Sequence, residues 1–154
     1  MTKEAVIIGN YRYFLLRQWD ENLPKCLFIM LNPSTADANE DDPTIRRCIG
    51  FASSWGYGGI YVGNVFAHRA TDPRELTKVV DPVGSLNDHY LRVMKDKSEL
   101  VIFAWGTHKM VTEGHILNMK TLFPNAQCIT ISKHGKPVHP LYLNKKLTPI
   151  DFKP

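Results

Sequence analysis

A chain of 154 residues, 44% hydrophobic and 22% charged, has the size and composition of one ordinary soluble globular domain, able to bury about two-thirds of its unfolded surface. No apolar run approaches the roughly 20 residues a membrane-spanning helix needs, and Met1-Thr2-Lys3-Glu4 lacks the basic-then-apolar pattern of a secretory signal, so a cytoplasmic location is the expectation. A net charge of +4 and a pI near 9.0 permit a nucleic-acid partner without requiring one.

In chain order, Ala5-Val6-Ile7-Ile8 reads as a strand, Gly9-Asn10 as a turn and Tyr11 to Trp19 as the return strand of a hairpin. Strict alternation along the return puts Tyr11, Tyr13, Leu15 and Arg17 on one face and Arg12, Phe14, Leu16 and Gln18 on the other. Cys26 to Leu31 is a short uncharged run, read as a strand buried on both faces, and it stops at Asn32-Pro33-Ser34-Thr35. The residue before a proline is pushed out of the helical region, so Asn32 delivers a polar loop to the edge of the core.

Four acids follow in Ala36 to Asp42. Asp37, Glu40, Asp41 and Asp42 could hold a magnesium ion weakly, or Asp41 and Asp42 could serve the positive end of the next helix. Asp42-Pro43 is a strong helix start, and the helix runs to about Trp55 with Ile45, Cys48, Ile49 and Ala52 on its apolar stripe and Arg46 and Arg47 on the other side.

Ile60 to Phe66 is the second core strand, which completes a βαβ unit. The polar stretch Ala67 to Pro82 is long enough to suggest function. A helix capped by Ser85 carries Tyr90, Leu91 and Met94 inward, and Leu100 to Ala104 is a third strand ending at Trp105-Gly106-Thr107. Met110 to Phe123 reads as a helix with Val111, Ile116, Leu117 and Met119 inside. Gln127 to Ile131 is a fourth strand, and the tail after Lys146 looks extended. The expectation is one α/β domain over residues 1–154: a three-layer α/β/α arrangement around a four-stranded parallel core sheet, plus an N-terminal β-hairpin.

Parallel strands would bring Asn32-Pro33-Ser34, Asn64-Val65-Phe66, Trp105-Gly106 and Lys133 through His139 to one carboxyl edge, where α/β proteins place ligands. The stretch Lys133 to Lys146 holds four lysines and two histidines without an acid, so a polyanion could lie along it. Other chemistries find no support. Gly56-Tyr57-Gly58-Gly59 precedes a strand instead of opening a helix, which excludes a dinucleotide loop. No metal site is expected from His134 and His139, five apart with no nearby carboxylate. Cys26, Cys48 and Cys128, an odd count without C-x-x-C spacing, read as buried free thiols.

Over nearly its full length the chain resembles domain of unknown function family 1643, through Leu31 to Asp37 (LNPSTAD), Asp41 to Ala52, Trp55 to Pro73, Ala104 to Gly106 and the HPLYL run ending at Leu143. More distantly it is similar to the uracil-DNA glycosylase superfamily, whose members have a four-stranded parallel sheet between helices. Leu31-Asn32-Pro33-Ser34 looks like that superfamily's first motif, which implies that Asn32 positions the attacking water. By the same resemblance Asn64 would read the edge of a flipped base, His139 would stabilise the leaving base, and Leu143 would wedge into the duplex. Pro33 and Ser34 would line the pocket, Phe66 or Trp105 would offer a stacking face, and Lys133, Lys136, Lys145 and Lys146 would hold phosphates. Pro-Leu-Tyr stands where that motif has Pro-Ser-Pro, and Leu31 where it has glycine.

The expected function is a DNA glycosylase-like protein that recognises or excises a modified or damaged base by water attack at the glycosidic carbon, with DNA or a nucleotide as partner and no cofactor. The alternatives are a non-catalytic nucleic-acid or nucleotide binding module, and a metal-dependent nucleotide hydrolase with Asp37 and Asp42 on magnesium.

Overall fold

The computed structural model describes residues 1–153. Its strands are β1 (Thr2–Ile8), β2 (Tyr11–Gln18), β3 (Lys25–Met30), β4 (Gly59–Asn64), β5 (Leu100–Phe103), β6 (Gln127–Cys128) and β7 (Ile150–Asp151). The helices are α1 (Pro43–Ser54), α2 (Asn87–Asp96) and α3 (Glu113–Leu122), with a 3-10 turn at Pro73–Lys78. All seven strands form one mixed sheet in the order β1-β2-β4-β3-β5-β6-β7. β3 runs parallel to β4 and to β5, and β5 parallel to β6. The N-terminal hairpin is continuous with this sheet, because β2 pairs antiparallel with β4. The extended tail supplies β7, antiparallel to β6, and closes the opposite end.

The run in β3 is buried on both faces for the reason its sequence suggests. Cys26, Phe28 and Met30 pack toward Ile45, Cys48, Phe51 and Ala52 of α1. Leu27 and Ile29 pack with Leu91 and Met94 of α2 and Met119 and Leu122 of α3. Gly63 permits the close approach of α2, since a Cβ there would sit 2.6 Å from a methyl of Leu91. Gly50 has no such reason. It lies inside α1, where glycine costs about 1 kcal/mol relative to alanine, yet a Cβ there would meet nothing within 4 Å. No helix among the described residues is long and apolar enough to cross a membrane.

Several boundaries move for local reasons. α2 starts at Asn87 with Leu86 at its cap position and no side-chain cap, so Ser85 does not cap it. The Asn87 amide instead turns inward to the carbonyls of Asn64 (2.9 Å) and Val65 (3.4 Å). α3 begins three residues later than the apolar pattern suggests, because Thr112 and His115 form a reciprocal capping box. That start sets a helix phase in which Leu117 is 67% exposed instead of inward. β6 is only two residues long, and Ile131 bridges to Pro137 instead of extending it.

The largest correction concerns β2. Its register against β1 runs Val6↔Phe14 and then Ile7↔Arg12, so Tyr13 is an extra residue in a bulge. A bulge reverses the alternation, and Arg12 therefore joins Arg17 on the α1 side instead of opposing it. Both guanidiniums are buried, and both grip the acidic segment. Arg17 Nε donates to Asp41 Oδ1 at 2.7 Å, Nη1 donates to the Leu16 carbonyl, and Nη2 donates to the carbonyls of Asp37 and Glu40. Arg12 Nη1 donates to the Ala36 carbonyl at 3.1 Å. Burial pulls the Arg12 guanidinium down to about 10 while Asp42 opposes that shift, so it stays charged at neutral pH.

Arg17→Ala would take the buried donor from three carbonyls and leave the partly exposed Asp41 with only Lys3 at 4.0 Å, and is expected to lower the unfolding free energy by about 2–4 kcal/mol. Arg17→Lys should recover only part of that loss, because an ammonium does not reproduce the planar fork. Urea denaturation of both variants checks the order.

Candidate functional site

The chain leaves β3 toward β4 on one side and returns to β5 on the other, which makes the carboxyl end of β3 a topological switch point, the usual place for a ligand crevice. A cavity of about 300 Å³ opens there, lined by Met30, Leu31, Asn32 and Ser34 from the β3 exit, Asp42, Thr44 and Ile45 from the start of α1, Ala70, Thr71 and Pro73 beyond β4, and His139 and Leu141.

Its walls are tied together by the backbone. Asn32 Nδ2 donates to the Ala70 carbonyl at 2.8 Å and to the Pro33 carbonyl at 3.1 Å, and the Ala70 N–H returns a bond to the Pro33 carbonyl at 3.0 Å. Arg69 holds the carbonyls of Ser34 and Thr35 from the same side. With its nitrogen so committed, the Asn32 amide has a fixed orientation. Its Oδ1 has no partner among the described residues.

His139 sits against Gly106 at the exit of β5; a Cβ at Gly106 would lie 3.6 Å from that of His139. The Leu141 backbone N–H donates to His139 Nδ1 at 3.1 Å. A backbone N–H can only donate, so Nδ1 is the acceptor and the neutral ring carries its proton on Nε2. Burial pushes the His139 pKa below the ordinary histidine value, with the charge of Asp42 opposing. At neutral pH this side chain is an uncharged donor.

Asp42 does two jobs. Its Oδ1 accepts from the Ile45 N–H at 2.8 Å and caps α1, and the residue lines the cavity. The neighbouring acids are occupied in folding the loop: Asp37 Oδ1 accepts from the N–H groups of Asn39 and Glu40, each at 2.8 Å, and Asp41 pairs with Arg17. Those two bonds hold the Asp37 carboxyl below the usual range. No group of three metal-ligating side chains is clustered among the described residues.

Of the residues singled out in the sequence, Asn32, Ser34 and His139 meet at this cavity. Pro33 is buried beneath it and contributes its carbonyl to the Asn32–Ala70 tie. Asn64 does not line it. It is 1% exposed, with both amide atoms unpaired, while its register partner Met30 forms part of the cavity wall. Phe66 and Trp105 are buried in the cluster on the opposite side of the sheet, Phe66 edge-on to His115, and neither offers a face to the cavity. Leu143 packs half-buried against the α1-side cluster. The exposed side chain of that loop is Tyr142, 93% exposed and held at φ 74°, a left-handed conformation uncommon outside glycine. The lysines divide as well. Lys133 is exposed, and Lys136 borders a separate hollow beside α3 with Glu113, Lys120 and His134. Lys145 lies on the outer side of α1, and Lys146 is exposed next to it. Asp42, read in the sequence only as a helix start or a weak magnesium ligand, and Thr44 and Thr71, which the sequence did not single out, complete the polar lining. The Asp42-Pro43 helix start was the available signal for the first, since it fixes the mouth of α1 beside the β3 exit.

Residues 12–141 match the family described as protein of unknown function (DUF1643). The chain belongs to this family. Comparison with curated proteins and with solved structures returned no match.

Asp42→Asn retains a capping side chain and removes the charge that favours imidazolium. The His139 pKa is expected to fall further in this variant, read from the ring-proton NMR shift across pH. In the native protein the stability contributed by neutral His139 is complete above the unfolded-state histidine pKa, about 6.5, and is lost as pH falls toward the lower folded value.

Proposed function

We propose that this protein recognises a base taken out of a DNA strand and hydrolyses its glycosidic bond. The observation that carries the reading is the convergence, on one cavity of about 300 Å³, of an oriented amide oxygen at Asn32, a neutral Nε2–H donor at His139 and the carboxylate of Asp42.

Each group has a task in such a displacement. Asn32 Oδ1 accepts a hydrogen bond from the attacking water and holds it in line with the sugar carbon. As the bond to the base breaks, its electron pair passes to the base, the water's oxygen bonds to the sugar carbon, and the proton the water releases passes to the Asp42 carboxylate and from there to the departed base. His139 Nε2–H meets the charge that develops there, and a neutral donor does so without needing to gain or lose a proton. Asp42 supplies negative charge beside a sugar that becomes oxocarbenium-like. Asn64 can donate and accept at once, and an unpaired buried amide is costly to maintain. It would reach a base if Met30 moved aside.

The closed position of Asn64 favours a second reading, in which the same cavity binds a nucleotide or nucleic acid without turnover. Incubation with single- and double-stranded oligonucleotides bearing a panel of modified bases, followed by alkali, separates the two. Scission at one base type, reduced about 100-fold or more by Asn32→Ala and by His139→Ala, is the expected result. Binding without scission at any base would assign the non-catalytic reading, and neither binding nor scission would remove both.

A further inference from the structure

On the outer side of α1, away from the cavity, Arg46, Arg47, Gly50, Phe51, Ser54 and Lys145 line a hollow of about 220 Å³. Three cations border it and no carboxylate does. Gathering like charges around a concave surface is unfavourable unless an anion is shared between them. Arg47 is preorganised: its guanidinium carbon lies 5.1 Å from the centroid of the Phe51 ring, and its Nε donates to the Pro140 carbonyl at 3.3 Å. Its two Nη atoms have no partner among the described residues. The Ser54 hydroxyl is turned back onto the Phe51 carbonyl at 2.8 Å and does not compete for them.

Gly50 is the independent observation. A glycine inside a helix weakens it, and neither left-handed backbone nor a close neighbour accounts for this one. What it does provide is open space among the three cations, where a ligand can approach the helix backbone.

We propose that this hollow binds a phosphate group of the nucleic-acid strand whose base enters the cavity. The inference rests on the reading of the cavity given above. The geometry connects the two places, because Arg47 holds Pro140, the residue directly after His139. A strand gripped at α1 is thereby positioned along the loop that presents His139.

The test measures binding of a fluorescent oligonucleotide as a function of salt. Wild type should show a linear fall of log affinity with log salt. Gly50→Glu places a carboxylate in the hollow on an unobstructed helical position and should weaken binding about tenfold and reduce the salt slope by about 1. Its melting temperature should be no lower than that of wild type. Lys145→Glu, at an exposed side chain, should act in the same direction. Unchanged affinity and slope in both variants, with binding still lost in Asn32→Ala, would overturn the hollow and leave the cavity reading standing. Loss in both variants with no effect of Asn32→Ala or His139→Ala would support the phosphate site and remove the cavity reading. Displacement of the oligonucleotide by polyglutamate at equal charge concentration would overturn a nucleic-acid partner. So would binding of a free mononucleotide that Gly50→Glu abolishes when no oligonucleotide binds.

Discussion

The structure depends on two buried guanidiniums. Arg12 and Arg17 reach from β2 across one side of the sheet and hold the segment from Ala36 to Asp41, mostly by its carbonyls. That segment is rich in acids and poor in apolar side chains, so it has little of its own to bury. Carbonyls accepting from a fixed, permanently charged donor order it instead. Its order in turn fixes Asp42, and Asp42 fixes both the start of α1 and one wall of the cavity. Without the arginines, the acidic loop would be a mobile negative flap beside the cavity.

This arrangement explains which parts of the protein were legible in its sequence. Apolar runs such as Cys26 to Leu31 and Ile60 to Phe66 have only one comfortable environment, and their strands follow. Asp42-Pro43 is equally unambiguous, since a proline without an N–H and an acid that accepts one both suit a helix's first turn. The face of Arg12 was not legible, because a bulge is a one-residue register shift that no alternation pattern announces. Nor was β7, since Ile150-Asp151 becomes a strand only because β6 leaves an unpaired edge beside it.

The candidate site divides along the same line. Asn32, Ser34 and His139 were readable because each lies at a strand exit or in the loop facing one, and parallel strands send their exits to one edge. Phe66 and Trp105 lie at such exits too, yet both pack on the far side of the sheet: Trp105 by the strand alternation it shares with Phe103, and Phe66 against the alternation of Ile60 and Val62, in the turn beyond the end of β4. The tautomer of His139 is likewise a property of fold. Only the loop that curls Leu141 back onto Nδ1 makes the ring a neutral Nε2 donor. The odd conformation of Tyr142 belongs to that same curl and places an aromatic ring on the rim of the loop.

The bulge at Tyr13 has a consequence for how this family's chains can vary in length. The hairpin tip at Gly9-Asn10 is exposed and turns through left-handed backbone, so residues added there extend a solvated loop. Between Arg12 and Arg17 the residue count and the bulge are matched, because five positions apart the two reach one side of the sheet only while Tyr13 stands outside the ladder. Flattening the bulge with Tyr13 kept would pair Tyr13 with Ile7, restore simple alternation and swing Arg12 into the apolar cluster around α2, away from Ala36, whereas losing Tyr13 altogether would leave Arg12 opposite Ile7 on the α1 side. A change that removes the bulge but keeps the residue count would therefore act at the distant mouth of α1, in a part of the sequence that had not changed.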